Sequence, residues 1–280
     1  MQQNAPASAD GATRIGPDKI RNADPARPLV CLTAYTAPVA AYLDPICDLL
    51  LVGDSLGMVI YGMDGTVGVT LDMMIAHGRA VTRRARHACV VVDLPAGTYE
   101  DGPEQALASA RRVMAETGAE AVKLEGGVAI EASIAALVTD GIPVLGHIGL
   151  LPQQAENGFR IQGRGEDGAR QVMEDALAVE RAGAFATVIE GTLEPVARSI
   201  TEALSIPTIG IGASAACDGQ ILVTDDLVGL YDGHLPKFAE RYADLAGTIR
   251  EAAQRWADDV RTRAFPGQDN IYAGTPATKE

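Results

Sequence analysis

The chain has little that stacks, little that cross-links and no apolar run long enough to span a bilayer. Aromatic residues make up 4% of its 280 positions, with one Trp, too few for the ring platforms on which single-stranded nucleic acid stacks. Positive charge is also scarce: 23 Lys and Arg stand against 37 Asp and Glu, a net of −14. A surface of that sign repels phosphate backbones and anionic lipid heads, so neither nucleic acid nor membrane is expected as a partner. No apolar run reaches the roughly 18 to 20 residues a membrane helix needs. Met1–Ala12 has neither the basic start nor the apolar middle of a secretory leader. The four cysteines, Cys31, Cys47, Cys89 and Cys217, are far apart and form no CxxC or Cys/His pairing, which excludes the usual zinc spacings. They read as free core thiols in a reducing cytoplasm.

What is present is apolar surface in short, regularly spaced pieces. At 47% hydrophobic residues the chain can bury the core of one large domain. Residues 1–27, rich in Ala, Asp, Gln, Asn, Pro and Gly, read as a mostly flexible segment in which Arg14–Arg21 could form a short docking helix. The folded unit is expected over 28–265, with 266–280 as a tail. Within it, apolar runs at 29–35, 48–54, 88–95, 120–127, 142–147, 185–191 and 206–213 read as strands buried on both faces, as a parallel sheet requires. Helical spacing fills 71–86, 103–116, 129–139, 168–182 and 193–204. An eighth strand is expected near 229–235, followed by a long helix over 239–263.

Eight strand-and-helix cycles match a (βα)8 TIM barrel, although a doubly wound open sheet alternates in the same way. Polar residues separate the two. Asp54, Asp93, Glu125, His147 and Glu190 each stand at or near the C-terminal end of a different apolar run, and all strand ends converge on one mouth only in a closed barrel.

Three of these residues are acids that would repel one another at one rim unless protonated or bridged by a cation. Asp54, Asp93 and Glu125 offer oxygen donors without Cys or His, a set that suits magnesium; each taken alone could instead cap a helix. Lys123 lies two residues before Glu125, so strand alternation puts both on the same face, toward the barrel interior. Ser55 adds a hydroxyl at the same rim, but the GxSxG elbow of a serine nucleophile is absent. Glu190, set among apolar neighbours in FATVIEG, is placed to act as general base toward a weakly acidic C–H. His147 could hydrogen-bond an anionic ligand or be a satisfied core histidine. The Gly210–Ser214 run reads as a close backbone approach rather than a phosphate cradle. The residues alone point to a magnesium-dependent barrel enzyme that makes an enolate from a small anionic carbonyl compound.

The segments LTAYT (32–36), LLLVGDSLGM (49–58), VVVDLP (90–95), AVKLEGG (121–127), VLGHIGL (144–150), IQGR (161–164), IPTIGIGA (206–213), DGQILV (218–223) and GHLPKF (233–238) together resemble the 3-methyl-2-oxobutanoate hydroxymethyltransferase family. The resemblance runs in order from about residue 15 to 266. It implies a (βα)8 barrel of the phosphoenolpyruvate/pyruvate superfamily type, a cytoplasmic enzyme of pantothenate biosynthesis, Mg2+, and 5,10-methylenetetrahydrofolate as cosubstrate. It also implies a homo-oligomer, a decamer of stacked pentamers. By motif it assigns Asp54 and Asp93 as direct metal ligands with Glu125 able to act through water. Ser55, Lys123 and His147 join Asp54 and Asp93 in binding the oxo acid, and Glu190 is the base. The chain departs from the family pattern at Thr36, at Leu151–Gln154 with the shortened loop after it, at Thr224 and Asp225, and at Phe265–Asn270. These departures bear on the fit of the folate, and they keep two alternatives open. One is a folate-independent 2-oxo acid aldolase or lyase of the same superfamily, although the lyases' KKCGH-type loop is absent. The other is a non-catalytic 2-oxo acid-binding paralogue.

Overall fold

The computed structural model describes residues 14–155, 160–231, 233 and 235–272. Eight parallel strands close on themselves in sequence order. They are β1 (Leu29–Thr33), β2 (Leu49–Val52), β3 (Cys89–Asp93), β4 (Ala121–Lys123), β5 (Val144–Gly149), β6 (Ala186–Glu190), β7 (Thr208–Ile211) and β8 (Gly219–Leu222). β1 pairs with β8, Cys31 opposite Ile221, which seals the barrel. The helices are α1 (Pro17–Arg21), α2 (Ala37–Leu43), α3 (Leu56–Val59), α4 (Leu71–Thr82), α5 (Pro103–Thr117), α6 (Glu131–Thr139), α7 (Gly165–Arg181), α8 (Glu194–Ala203), α9 (Thr224–Leu227) and α10 (Leu245–Arg261).

Local chemistry sets the helix limits. Thr70 caps α4 by accepting from the Met73 N–H, and α5 begins at Pro103 and ends at Gly118 in the left-handed conformation, the residue types these positions favour. Strand alternation divides the apolar residues into two cores. Leu29, Cys31, Leu49, Leu51, Cys89, Val91, Leu145, Val188 and Ile209 fill the barrel. Leu50, Val52, Val90, Val92, Val122, Val144, Ile148 and Ile189 point outward against the helices. Gly146 lets α7 approach β5: a Cβ there would lie 2.3 Å from Val179 Cγ1. All four cysteines are buried and free.

The eighth strand is not at 229–235. It is Gly219–Leu222, reached from β7 through loop 212–218 without a helix, and the described residues of 229–235 belong to the connection between α9 and α10, residues 232 and 234 lying outside the described residues. The final helix is correspondingly shorter than 239–263. Arg14–Arg21 contains α1, whose Ile20 joins Ile15 in the barrel core. Arg14 pairs with Glu120 at 2.6 Å and donates to the Gly118 carbonyl, so this segment plugs the end where the strands begin. The Phe265–Asn270 segment packs Phe265 edge-on against Trp256.

One buried acid at that same end organises the entry to β3. Asp44, at the end of α2, accepts from the backbone N–H groups of Arg86, His87 and Ala88 at 2.8–3.1 Å. Removing it strands three donors, of which only that of Ala88 belongs to a buried residue; a buried donor left alone costs on the order of 1–3 kcal/mol and the two partly exposed ones less. Asp44→Ala is therefore expected to lower stability by about 2–4 kcal/mol, measured by urea unfolding. An unchanged midpoint would show that these donors find other partners.

Candidate active site

The opposite end is where the strands run out, and each functional side chain is placed there by its strand. Asp54 and Ser55 form the turn between β2 and α3, Asp93 ends β3, Glu125 follows β4, His147 lies on β5 and Glu190 ends β6. Parallel register sets Asp93 opposite Lys123, and the bridge from Gly126 to His147 brings Glu125 beside the imidazole. All seven residues singled out from the sequence, Asp54, Ser55, Asp93, Lys123, Glu125, His147 and Glu190, line one cavity of about 530 Å³.

The contacts form a chain. Lys123 Nζ lies 3.2 Å from Asp93 Oδ1 and 3.7 Å from Glu125 Oε1. His147 Nδ1 lies 3.1 Å from Lys123 Nζ and 3.4 Å from Glu125 Oε1, while its Nε2 faces Glu190 Oε2 at 3.3 Å. Glu190 is thus flanked by a buried imidazole, not by apolar groups alone as FATVIEG suggested. Ser55 Oγ is held by the Tyr35 hydroxyl at 2.8 Å. The Asp54 N–H donates to Asp93 Oδ2 at 3.0 Å.

Burial and crowding set the protonation states. Burial, with the charges of Asp93 and Glu125, pushes the Asp54 carboxyl up to about 8, against the smaller pull of Lys123 and Gln153. Burial also raises Asp93, although Lys123 opposes it. Burial alone would strip Lys123 of its proton, but Asp93, Glu125 and Asp54 together hold it well above the ordinary lysine value. Glu125 is lowered: burial works against its charge and His147 and Lys123 outweigh it. For His147, burial and Lys123 favour the neutral ring, yet Glu125 and Glu190 raise it to about 9. Its Nδ1 is contested, since Lys123 could donate only to a bare nitrogen and Glu125 accepts only from a protonated one. The surplus of carboxylates decides for the proton.

The donors suit a hard cation in part. Among the described residues, no group of three or more His, Cys, Asp or Glu side chains is arranged to hold a metal ion. Both oxygens of Glu125 already have neighbours: Lys123 and His147 approach its Oε1, and its Oε2 accepts from the Gln153 N–H at 3.0 Å. Asp54 and Asp93 remain. Asp93 Oδ1 is buried without a hydrogen-bond partner among the described residues, because Lys123 lies near it but off the bonding line. Asp54 has one oxygen engaged, by Gln153. Two carboxylates with water and substrate oxygens are an ordinary magnesium site.

Sequence reasoning passed over Gln153 and Tyr99, which do not titrate near neutrality. The only signal was position, since the loop that leaves a barrel strand at this face commonly carries site residues. The Gly210–Ser214 run serves packing: Gly212, at φ +59°, meets the Phe238 ring, and a Cβ there would lie 2.6 Å from it.

The family described as ketopantoate hydroxymethyltransferase matches residues 16–268. The chain belongs to this family. Proteins described as 3-methyl-2-oxobutanoate hydroxymethyltransferase are similar to it along nearly their whole length. The one from Mesorhizobium japonicum is 57% identical, covering 95% of this chain and 94% of its own. The one from Brucella canis is 55% identical, covering 94% and 96%. Among solved structures, phosphonopyruvate hydrolase in complex with oxalate and Mg++ superimposes with a TM-score of 0.60 at 15% identity, over 91% of this chain and 93% of that one. 2,3-Dimethylmalate lyase, a PEP mutase/isocitrate lyase superfamily member, reaches 0.58 at 17% identity, over 92% and 89%. These two share the barrel fold and bear on fold alone.

The raised Asp54 carboxyl makes a prediction for the metal-free protein. Its folded value of about 8 lies above the unfolded carboxylate value of about 4. The folded state therefore holds a proton that the unfolded state has released, and stability falls as pH rises between these values. Asp54→Asn, which cannot ionise, should flatten this slope and match or exceed the parent in melting temperature at pH 8. Thermal melts from pH 5 to 8 in chelator check it; parallel slopes for both proteins would contradict the assignment.

Proposed function

We propose that this protein transfers a hydroxymethyl group from 5,10-methylenetetrahydrofolate to 3-methyl-2-oxobutanoate, forming 2-dehydropantoate and tetrahydrofolate; the relatives' names give the acceptor and the group transferred, and the folate donor comes with the family resemblance. The observation that carries the chemistry is the run of contacts from Glu190 through His147 to Glu125, Lys123 and Asp93 around one cavity. Residues 28–265 form the catalytic barrel in this reading, working in the cytoplasm.

The division of labour follows from position. Lys123 and Ser55 hold the oxo-acid carboxylate and carbonyl side, the ammonium supplying charge that Asp93 and Glu125 keep in place. Mg2+, held by Asp54 and Asp93, with Glu125 beyond them acting through water, would supply positive charge where the keto oxygen becomes negative. Glu190 removes the C3 proton. His147, between Glu190 and Glu125, aligns the base and lends the pocket positive charge toward the anionic substrate. The methylene carbon is bonded to two folate nitrogens: the C3 carbon displaces one, which takes up the proton that Glu190 removed, and water displaces the other, leaving its hydroxyl on the carbon and its proton on that nitrogen. The rim holds both reactants in order, which replaces an encounter in solution.

Assembly as a homo-oligomer belongs to the same proposal. Leu245, Ile249, Trp256 and Val260 repeat at helical spacing along α10 and are all exposed, and no residue of that helix is buried. On the outer face of β1, Val30 is 45% exposed. Uncovered apolar faces of this kind are commonly buried by a partner surface, and a decamer is the assembly the family resemblance implies. Sedimentation of the parent should show a species larger than a dimer, and Trp256→Asp should dissociate it. A parent that is monomeric at micromolar concentration would overturn this part.

Catalysis is tested without folate. The magnesium-loaded protein should exchange the C3 hydrogen of 3-methyl-2-oxobutanoate for deuterium, chelator should stop the exchange, and Glu190→Gln should slow it by about 10² or more. Product should then form on addition of methylenetetrahydrofolate. Exchange without product would favour the folate-independent aldolase or lyase. No exchange by the parent over hours, followed by NMR, would favour the binding paralogue.

A further inference from the structure

Gln153 is buried in the short 3-10 turn Pro152–Gln154 that follows β5. Its amide nitrogen donates to Asp54 Oδ2 at 2.7 Å and to the Leu94 carbonyl at 3.0 Å. Its amide oxygen receives the Tyr99 hydroxyl at 2.6 Å, and its backbone N–H donates to Glu125 Oε2 at 3.0 Å. One residue thus ties together the acids from β2 and β4, the carbonyl after β3 and the Tyr99 ring.

The amide can face only one way. Both N–H hydrogens are used: the Leu94 carbonyl is an acceptor alone, and so is Asp54 in the ionised form that would hold a cation. Turned over, the amide oxygen would meet the Asp54 carboxylate and the Leu94 carbonyl, while the NH2 would lose both acceptors. Tyr99 strengthens the choice, because its hydroxyl has a hydrogen to give to the amide oxygen. Tyr99 is itself fixed: it is fully buried, and the Glu125 N–H reaches its hydroxyl oxygen at 3.3 Å.

The consequence falls on Asp54. With Oδ2 bound to Gln153, Oδ1 is the carboxylate oxygen without a protein hydrogen bond among the described residues, and Asp54 lines the cavity. We propose that Gln153 is a positioning residue that fixes Asp54 for binding through one oxygen, and that Tyr99 sets the direction of the Gln153 amide. The inference rests on Asp54 as a metal-holding residue. It implies that losing Gln153 lets the carboxylate rotate or take both oxygens to a cation. Affinity for metal and oxo acid should then suffer more than the proton-transfer step, because Glu190 and His147 do not touch Gln153.

The test separates binding from turnover. Gln153→Leu removes every amide bond at similar size, and Tyr99→Phe removes only the orienting hydroxyl. Mn2+ titrated into the metal-free proteins, followed by water proton relaxation, gives metal affinity without any reaction. C3 exchange of 3-methyl-2-oxobutanoate gives KM and kcat. For Gln153→Leu we expect Mn2+ affinity and KM each to worsen by about tenfold or more, consistent with loss of a charge-assisted bond. The kcat at saturation should stay within about threefold, and excess Mg2+ should restore KM. Tyr99→Phe should shift the same two quantities by a smaller factor, since Gln153 keeps its bond to Asp54. A purely structural role would lower the melting temperature without this split. Parent-like Mn2+ affinity in both variants, or loss of kcat at unchanged affinity, overturns the proposal. Should Gln153→Leu fail to fold, Tyr99→Phe decides alone, and unchanged Mn2+ affinity there overturns it. A parent that binds no Mn2+ rejects the metal reading itself, and this inference with it, before any variant is compared.

Discussion

Everything at the rim depends on burying more negative charge than positive. Asp54, Asp93 and Glu125 are almost inaccessible, Glu190 is close by, and the cations set among them are Lys123 and His147. Isolated ions of this kind would be too costly to bury, so each must be paired, hydrogen-bonded or protonated. The structure uses all three. Lys123 is shared by two acids, the backbone N–H of Asp54 and of Gln153 each serve a neighbouring carboxylate, and Asp54 itself is pushed toward its protonated form. Burial first, and the neighbouring acids second, keep Asp54 from ionising, and a cation set between the acids would remove the repulsive part of that effect. The excess charge at the rim is thus what a bound cation would relieve.

Such a cluster needs a frame that does not yield. The barrel provides it by separating duties along its axis. At the end where strands begin, α1 closes the interior with Ile15 and Ile20, Arg14 pairs with Glu120, and Asp44 gathers three backbone donors. None of the seven rim residues lies at that end. At the other end the strands stop while still buried, so the side chains that leave them are fixed by backbone pairing on either side. Lys123 sits in register with Asp93, and Glu125 sits beside His147. Their relative positions are properties of the sheet, and for this reason alternation along each strand was enough to foresee them.

That explains what was legible. Seven strands showed as apolar runs because parallel strands in a covered barrel are buried on both faces. The eighth did not, for β8 is only Gly219–Leu222 with Gln220 exposed on its outer side, and its composition resembles a loop. Ionisable rim residues were legible because a charge at the end of an apolar run calls for a reason. Gln153 and Tyr99 were not, since an amide and a phenol raise no such question and what makes them matter is a set of contacts between residues 99, 125, 153 and 54. Glu125 shows the limit from the other side: its place was foreseen, but not that Lys123, His147 and Gln153 take up both of its oxygens.

The departures from the family pattern take on a different meaning once they have positions. Read along the sequence, Thr36, Leu151–Gln154, Thr224, Asp225 and Phe265–Asn270 suggested an altered second-substrate site. In the structure Thr224 fastens α9 to β1 through Thr33, donating from its hydroxyl at 2.6 Å, Thr36 precedes α2 without a capping bond from its side chain, and Phe265 packs on Trp256. Of these positions Pro152 alone lines the cavity, while Gln153 reaches it through Asp54. Thr36, Thr224, Asp225 and Phe265–Asn270 thus lie outside the cavity lining, and residues 156–159 of the loop after Gln154 lie outside the described residues. The Leu151–Gln154 stretch differs because there the same short turn both departs in sequence and supplies the bond to Asp54. A change of residue beside Gln153 is tolerable as long as the turn still delivers its amide and its backbone N–H to two acids at once, a geometric requirement that composition does not express.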